Sequence, residues 1–264
     1  MSNPAETYER YMVPPLFAPA TERLLDVARP KPGERVLDVG CGTGIVARHA
    51  ASRVEPSGTV TGLDISPGML DVARATSERE GLAIDWHEGR AEALPFADGA
   101  FDLALCQFAL MFFTDRAAAL AETRRVLTDG GRVGVSVFQP IACHPFYVAL
   151  DASIERRLGT SGVAEIFALG EVDTLRALLA DAGFREIDFA PVTVTARFPN
   201  PAAFLAGEID VDTAAIPAMQ HLDAAARQEL AAAIRDDMAA PLREVTEGDH
   251  VVLPFHISIA RAYR

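Results

Sequence analysis

The sequence predicts an α/β fold, a doubly wound and mostly parallel sheet with helices on both faces. Five short apolar runs alternate with longer amphipathic stretches between Gly33 and Phe138. The first run leads directly into a glycine-rich turn, and after Phe138 the pattern changes to helices and two longer alternating runs. Short buried strands joined by helices are typical of a parallel sheet covered on both sides.

Seven strands are expected in this sheet. The five apolar runs are Arg35–Val39, Thr59–Leu63, Ile84–His87, Leu103–Gln107 and Val133–Phe138. Two further runs, Phe184–Phe198 and Val251–Tyr263, predict an antiparallel edge at the C-terminal side of the sheet. Pro254 lies inside the last run, and we expect it to interrupt the hydrogen-bond ladder because proline has no N–H.

Helix signals lie between these runs. Ser66 is expected to cap a helix that has Pro67 at its first position. An alanine-rich helix is expected over Arg116–Leu127, stopped by Asp129-Gly130-Gly131.

The C-terminal half predicts further helices over Tyr147–Leu158 and Val172–Ala182. A helical lid insertion is expected from Asn200-Pro201 to about Glu247, with a second helix capped by Asp223.

The whole chain, 1–264, is interpreted as one domain. Residues 1–31 would form an N-terminal helical cap, 32–140 a cofactor-binding core, and 141–264 the acceptor-side helices, the strand pair and the insertion at about 200–247. Tyr8, Arg10 and Tyr11 are placed to fold over a ligand. The helix that follows them has an apolar face made of Leu16, Phe17, Ala20, Leu24, Leu25, Val27 and Ala28.

Composition narrows the classes of partner. The 264 residues are 50% hydrophobic and carry 37 acidic against 24 basic side chains, a net charge of −13. So acidic a surface argues against nucleic-acid or membrane partners.

The odd count of three cysteines, without metal or disulfide spacing, fits a reducing compartment. No apolar run approaches the ~20 residues of a spanning helix, so a cytoplasmic protein is expected. The sequence does not decide the oligomeric state, and a homodimer is one possibility.

The glycine-rich turn reads VLDVGCGTG, from Val36 to Gly44. Glycines there bring bare N–H groups and a helix N-terminus close to a carboxylate or phosphate. The turn alone is ambiguous, since it also satisfies the G-x-G-x-x-A dinucleotide pattern and could be a turn without a ligand. Asp64 ends the next apolar run, where a carboxylate can accept bonds from both ribose hydroxyls. It could instead cap the helix near Ser66.

Four more segments follow in order, GLDISPGML, GRAEALPFADGAFD, CQFALMFFTD and RRVLTDGGRVGVSVF, and the later FALGEVDTLRALLADAGF is similar in kind. Together with VLDVGCGTG they resemble the class I S-adenosylmethionine-dependent methyltransferases, in particular the ubiquinone/menaquinone-biosynthesis C-methyltransferases. The resemblance implies a Rossmann-like fold, S-adenosylmethionine as cofactor, S-adenosylhomocysteine as product and methyl transfer to a small molecule.

The resemblance also implies roles for individual residues at the methionyl end. Gly40 and Gly42 would let the turn approach that end, and Gln107 would lie beside it near the transfer site. Asp38 would orient the ammonium group or only brace the turn. Asp64 would hold the ribose.

At the adenine end, Ile65 and Met69 would supply apolar surface, although Met69 could be core, and Ala91 would offer its backbone N–H. Arg90 departs from the family pattern, because relatives usually carry Asp or Asn there to accept from the adenine amine and arginine has no acceptor. Another group could meet the amine, or Arg90 could stack on the ring or point outward.

No firm catalytic signature and no metal site are present. His144 is the one weak candidate for a base, against a capping or solvent-facing role. The expected acceptor chamber is aromatic or apolar, which predicts a small acceptor of that character. Its candidate walls are Phe108, Leu110, Met111, Phe112, Phe113, Phe138, Phe146 and Tyr147.

Two alternative functions stay open at this point. A NAD(P)-dependent oxidoreductase could use the same turn, but the chain has no Tyr-x-x-x-Lys dyad. A non-catalytic cofactor-binding scaffold is the other alternative, and Arg90 is its best support.

Overall fold

The computed structural model describes residues 3–215 and 223–264. The strands are β1 (Arg35–Val39), β2 (Thr59–Asp64), β3 (Asp85–Glu88), β4 (Phe101–Gln107), β5 (Leu127–Phe138), β6 (Arg185–Pro199), β7 (Thr246–Glu247) and β8 (His250–Tyr263). The helices are α1 (Pro4–Tyr11), α2 (Ala18–Ala28), α3 (Ile45–Val54), α4 (Pro67–Glu80), α5 (Arg116–Val126), α6 (Pro145–Leu158), α7 (Val172–Asp181), α8 (Pro201–Ala215) and α9 (Ala224–Glu244). A π-helical turn, Val13–Phe17, joins α1 to α2.

The strands form one sheet in the order β3-β2-β1-β4-β5-β8-β6, with β7 paired to β8. The first five strands are parallel. The last strand, β8, lies antiparallel between β5 and β6. The predicted fold is therefore confirmed, and the two-residue β7 is an addition to the seven expected strands. The strand order reverses between β1 and β4, the position where open α/β sheets bind ligands.

Two local expectations were wrong. Pro254 lies opposite Thr195, and the β6–β8 register continues through it from Arg261 to His250. The ladder tolerates proline there because pairing with β5 begins only at Ile257, which leaves that side of Pro254 without a ladder. The helix α5 ends at Val126, before the Asp129-Gly130-Gly131 turn. That turn instead forms a bulge in β5, where the register with β4 jumps from Leu127 to Arg132.

The N-terminal cap is part of the core. Leu24, Leu25 and Ala28 of α2 are fully buried. A side chain at Gly134 of β5 would lie 2.9 Å from the Ala28 methyl group, so the helix packs closely on the strand. Arg132 reinforces this contact by donating to the Ala28 carbonyl at 2.7 Å.

The helical insertion is described over α8 and α9, while 216–222, inside the predicted 200–247, lie outside the described residues. Asp223 caps α9, as expected, by accepting from the Ala226 N–H at 2.8 Å. Asp237 of α9 accepts from Ser153 Oγ at 2.8 Å and from Arg156 at 2.7 Å, which fixes the helix to α6. No helix among the described segments is long and apolar enough to cross a membrane.

Candidate functional site

A cavity of about 360 Å³ opens where β1, β2, β3 and β4 end, and α1 covers one side of it. This size lies within the usual range for small-molecule sites. The residues that line it come from the ends of β2 and β4, from the segments that follow β1, β2, β3 and β4, and from the N-terminal cap. They are Tyr8, Gly40, Gly42, Leu63, Asp64, Ile65, Ser66, Met69, Gly89, Arg90, Ala91, Glu92, Gln107, Phe108, Ala109, Phe112, Phe113 and Thr114.

The glycine turn has the backbone that its sequence predicts. Gly40 has φ +70° and Gly42 has φ +54°, conformations that strain other residues. A Cβ at Gly40 would also lie 2.6 Å from the Ala109 methyl group. A Cβ at Gly42 would meet nothing within 4 Å, so this part of the backbone faces open space beside the cavity.

Asp64 joins the loop after β1 to the loop after β2. Its Oδ2 accepts from the Gly42 N–H and its Oδ1 from the Ser66 N–H, both at 2.8 Å. Ser66 caps α4 with its own hydroxyl, which accepts from the Met69 N–H at 3.4 Å. Each carboxylate oxygen has two lone pairs, so Asp64 can brace these loops and still accept from a ligand.

Asp38 lies behind the turn and outside the cavity lining, with 1% of its surface exposed. Its Oδ2 accepts from the Ala47 N–H at 3.0 Å, which is the bracing contact. Its Oδ1 has no hydrogen-bond partner within the described part of the chain. Burial raises the pKa of this carboxyl to about 7, although the Ala47 N–H opposes the shift. An unpaired buried carboxylate oxygen beside a glycine turn suits a cationic group.

Gln107 joins the cavity to the N-terminal cap. Its Nε2 donates to the Phe17 carbonyl at 3.2 Å and to Thr21 Oγ1 at 3.0 Å. Tyr8 stacks on Phe17 with 5.1 Å between the ring centroids and lines the cavity. Burial, followed by the charges of Glu9, Asp64 and Asp38, raises the pKa of the Tyr8 phenol well above its ordinary value.

An ion pair fixes α1 in this position. Arg48, which is buried, donates to Glu9 Oε1 at 2.7 Å and pairs with Glu80 at 3.3 Å. Of the three N-terminal side chains expected over a ligand, Tyr8 lines the cavity. Tyr11 is exposed, with the Arg10 guanidinium over its ring.

At the opposite end of the cavity, Ile65, Met69 and Ala91 all belong to the lining. Arg90 is turned to the rim with half of its side chain exposed, and it donates to Glu92 Oε1 at 3.3 Å and to Thr114 Oγ1 at 3.2 Å. Both partners of Arg90 also line the cavity.

The aromatic segments divide into lining and core. Phe108, Phe112 and Phe113 line the cavity, whereas Leu110 and Met111 are buried. The expected chamber residues after β5 form a buried aromatic cluster outside the lining. Its members are Phe138, His144, Phe146, Tyr147, Phe167, Phe198, Phe204 and Phe255. Phe138 connects this cluster to the cavity by stacking on Phe108 at 4.2 Å.

His144 lies in this aromatic cluster with 3% of its surface exposed. Its Nε2 accepts from the His256 N–H at 3.1 Å, so Nδ1 carries the proton and faces the Pro140 carbonyl at 3.3 Å. Burial lowers the pKa of its imidazole. Both ring nitrogens are bonded to backbone, and this arrangement favours a structural role for His144.

Two polar features escaped sequence reasoning. Tyr147 donates to Glu208 Oε2 at 2.9 Å, and burial raises the pKa of the Glu208 carboxyl to about 7. No sequence signal pairs these two residues. Glu92, in the GRAEALPF segment, also lines the cavity. The only sequence signal that could have pointed to it is an acidic side chain two residues after Arg90. Within the residues that the structure describes, no group of three or more His, Cys, Asp or Glu side chains could hold a metal ion.

Comparison with known proteins identifies the family. A family model described as a methyltransferase domain matches residues 36–131. The aklanonic acid methyltransferase of Streptomyces sp. (strain C5) is 39% identical over 130 residues, which cover 49% of this chain and 59% of that protein. The demethylmenaquinone methyltransferase of Thermus thermophilus is 35% identical over 175 residues, covering 61% of this chain and 79% of that protein. The match therefore spans less than two thirds of the length of the first relative and more than two thirds of the length of the second.

A solved structure extends the likeness to the fold. Phosphoethanolamine N-methyltransferase 2 of Haemonchus contortus, in complex with S-adenosylhomocysteine, superposes with a TM-score of 0.61 at 19% identity, covering 98% of this chain and 56% of that one. At that identity it supports the fold alone. The glycine turn, the carboxylate on the next strand and the sequence relatives agree, and the chain belongs to the class I S-adenosylmethionine-dependent methyltransferases.

Proposed function

We propose that the chain methylates a small acceptor with an apolar, aromatic surface, and that the acceptor enters beside Phe108, Phe112 and Phe113. The observation that carries the proposal is one cavity in which a glycine turn, the Asp64 carboxylate and these three rings meet. The names of the relatives, for aklanonic acid and for demethylmenaquinone, support a small-molecule acceptor.

The cofactor supplies a methyl group that its sulfonium has already activated. The chain has to bind, orient and dehydrate the reactants, and alignment alone can contribute roughly 7–11 kcal/mol of barrier reduction. In this proposal Gly40 and Gly42 admit the methionyl end, and Asp64 accepts from the ribose. The unpaired Oδ1 of Asp38 supports a contact with the ammonium group.

Other lining residues complete the binding site. Ile65 and Met69 provide apolar surface for the adenine, and Ala91 offers its backbone N–H. Gln107 holds the N-terminal cap in place, and Tyr8 covers the methionyl end and excludes water. Exclusion of water strengthens the electrostatic contacts inside such a site.

No general base is assigned, because His144 is held by two backbone contacts. The net charge of −13 supports action in the cytoplasm, away from nucleic acid and membrane surfaces. The partner is the small acceptor, with a homodimer as a compatible assembly.

The test is transfer of a labelled methyl group from S-adenosylmethionine to a panel of phenols, quinols and amines, with Asp64→Asn as the inactive control. Label should appear in at least one aromatic acceptor with the wild-type chain and not with the variant. If S-adenosylhomocysteine binds but no acceptor of any class is labelled, the chain is a cofactor-binding scaffold and the proposal is overturned.

A further inference from the structure

The cavity lining contains two carboxylates, and only one has a role so far. Asp64 is bonded to two backbone N–H groups and is proposed to face the ribose. Glu92 also lines the cavity, at the end where Ile65 and Ala91 lie. An adenine ring presents an exocyclic amine with two N–H donors, and burying donors without an acceptor is costly.

Arg90 cannot accept these hydrogen bonds. Its guanidinium is engaged with two other lining residues, because Nη2 donates to Glu92 Oε1 at 3.3 Å and to Thr114 Oγ1 at 3.2 Å. The side chain is half exposed. Arg90 therefore contacts the Oε1 atom of the Glu92 carboxylate and makes no contact with Oε2.

The Glu92 carboxylate is fixed from three directions. Its Oε1 accepts from the Thr114 N–H at 3.0 Å and the Asp115 N–H at 3.3 Å, in addition to Arg90. Its Oε2 receives no hydrogen bond from another residue of the described chain. The side chain is 15% exposed. One oxygen thus anchors the group to Arg90 and to the segment after β4, and no other residue of the described chain donates to the second oxygen.

The group is also held in its charged form. Burial raises the pKa of the Glu92 carboxyl, but its own N–H, the Asp115 N–H and the charge of Arg90 lower it further, so the pKa lies below the ordinary value. An ionised carboxylate is the strongest acceptor available for an amine.

We infer that Glu92 Oε2 accepts the adenine amine of the cofactor, with Arg90 as the positioning residue that holds this carboxylate in place. The inference rests on the proposed function, because it assigns a further residue of the same cofactor site. It removes the support that Arg90 gave to a non-catalytic scaffold, because another side chain then supplies the missing acceptor.

The test compares two ligands by calorimetry. S-adenosylhomocysteine carries the amine, and S-inosylhomocysteine carries a carbonyl oxygen at the same place. Wild type should bind the first about 10- to 100-fold more tightly, because the carbonyl would face a carboxylate without a proton between them. Equal affinities would overturn the inference, whereas no binding of either ligand would overturn the proposed function.

Glu92→Gln sharpens the comparison. The Thr114 and Asp115 N–H groups require the amide oxygen on their side, so the amide NH₂ would face the ligand. The preference should then disappear or turn toward S-inosylhomocysteine. If Glu92→Gln does not fold, Glu92→Asp withdraws the carboxylate and should reduce the wild-type preference.

Glu122→Gln is the matched control. Glu122 accepts from the Leu94 N–H at 2.9 Å, so it supports the same segment, but it does not line the cavity. This variant should keep the full preference even if its melting temperature falls. Arg90→Met should retain a weakened preference without inversion. A preference that survives in Glu92→Gln, or that is lost in Glu122→Gln, would contradict the assignment.

Discussion

The cavity, which is the proposed cofactor-facing region, and the buried aromatic cluster after β5 are organised differently. Around the cavity, polar side chains bond to nearby backbone and leave acceptors at an open wall, as Asp64 does. In the aromatic cluster, α6, β8 and α8 contribute closely packed rings around the Tyr147–Glu208 pair. The first region is preorganised by short loops at strand ends. The second depends on contacts between distant elements, so its polar groups are buried among apolar ones.

The largest expected effect concerns the cofactor-facing region. Asp64→Asn keeps the shape of the side chain but removes the charge that would accept from the ribose and that now binds Gly42 and Ser66. Affinity for S-adenosylhomocysteine should fall on the order of 100-fold, as measured by calorimetry. Asp85→Asn is the control, because Asp85 is an exposed residue outside the cavity lining. Equal affinities in the two variants would show that the Asp64 carboxylate does not contribute to binding of S-adenosylhomocysteine.

Glu208 tests the aromatic cluster through the pH dependence of stability. Its carboxyl has a pKa near 7 in the folded chain, above its value of 4.5 in a model compound, so the folded state binds the proton more tightly. Stability is therefore expected to fall as pH rises from about 4.5 to 7, by on the order of 3 kcal/mol for this group. Glu208→Gln should remove that part of the slope.

Denaturant unfolding between pH 5 and pH 8 measures this difference. Asp38 has a similarly raised pKa and keeps contributing to the slope in both proteins, so the comparison of wild type with Glu208→Gln isolates one group. An identical slope in the variant would show that Glu208 does not change its protonation state over this range.

A smaller effect is expected where a ring of the cavity lining faces solvent. Phe112 is exposed and lines the cavity, so Phe112→Ala should change the free energy of unfolding by less than about 0.5 kcal/mol. It should raise KM for an aromatic acceptor several-fold. Val172→Ala, at an exposed position outside the lining, is the control and should leave KM unchanged.

The same contrast explains what the sequence could predict. Gly40, Gly42 and Asp64 were predictable because strand-end loops fix their backbone and the needed residue types follow one another in the chain. The Tyr147–Glu208 contact joins residues 61 positions apart on helices without a motif. The bonding of His144 depends on the His256 N–H, 112 positions away. Such contacts follow from packing, which periodicity does not encode.

Pro254 illustrates the same limit for the fold. Its lack of an N–H predicted a broken ladder, but the outcome depended on which side of β8 had a neighbour at that point. Sheet order is a property of the assembled chain, and the alternating pattern of one strand does not contain it.

Titration of the wild-type chain with S-adenosylhomocysteine, and in parallel with NADH, tests the central claim that the cavity behind Gly40 and Gly42 is a methyltransferase cofactor site. We expect saturable binding of S-adenosylhomocysteine at one site per chain and no heat from NADH. Binding of NADH, or no uptake of S-adenosylhomocysteine by a folded chain, would contradict the account.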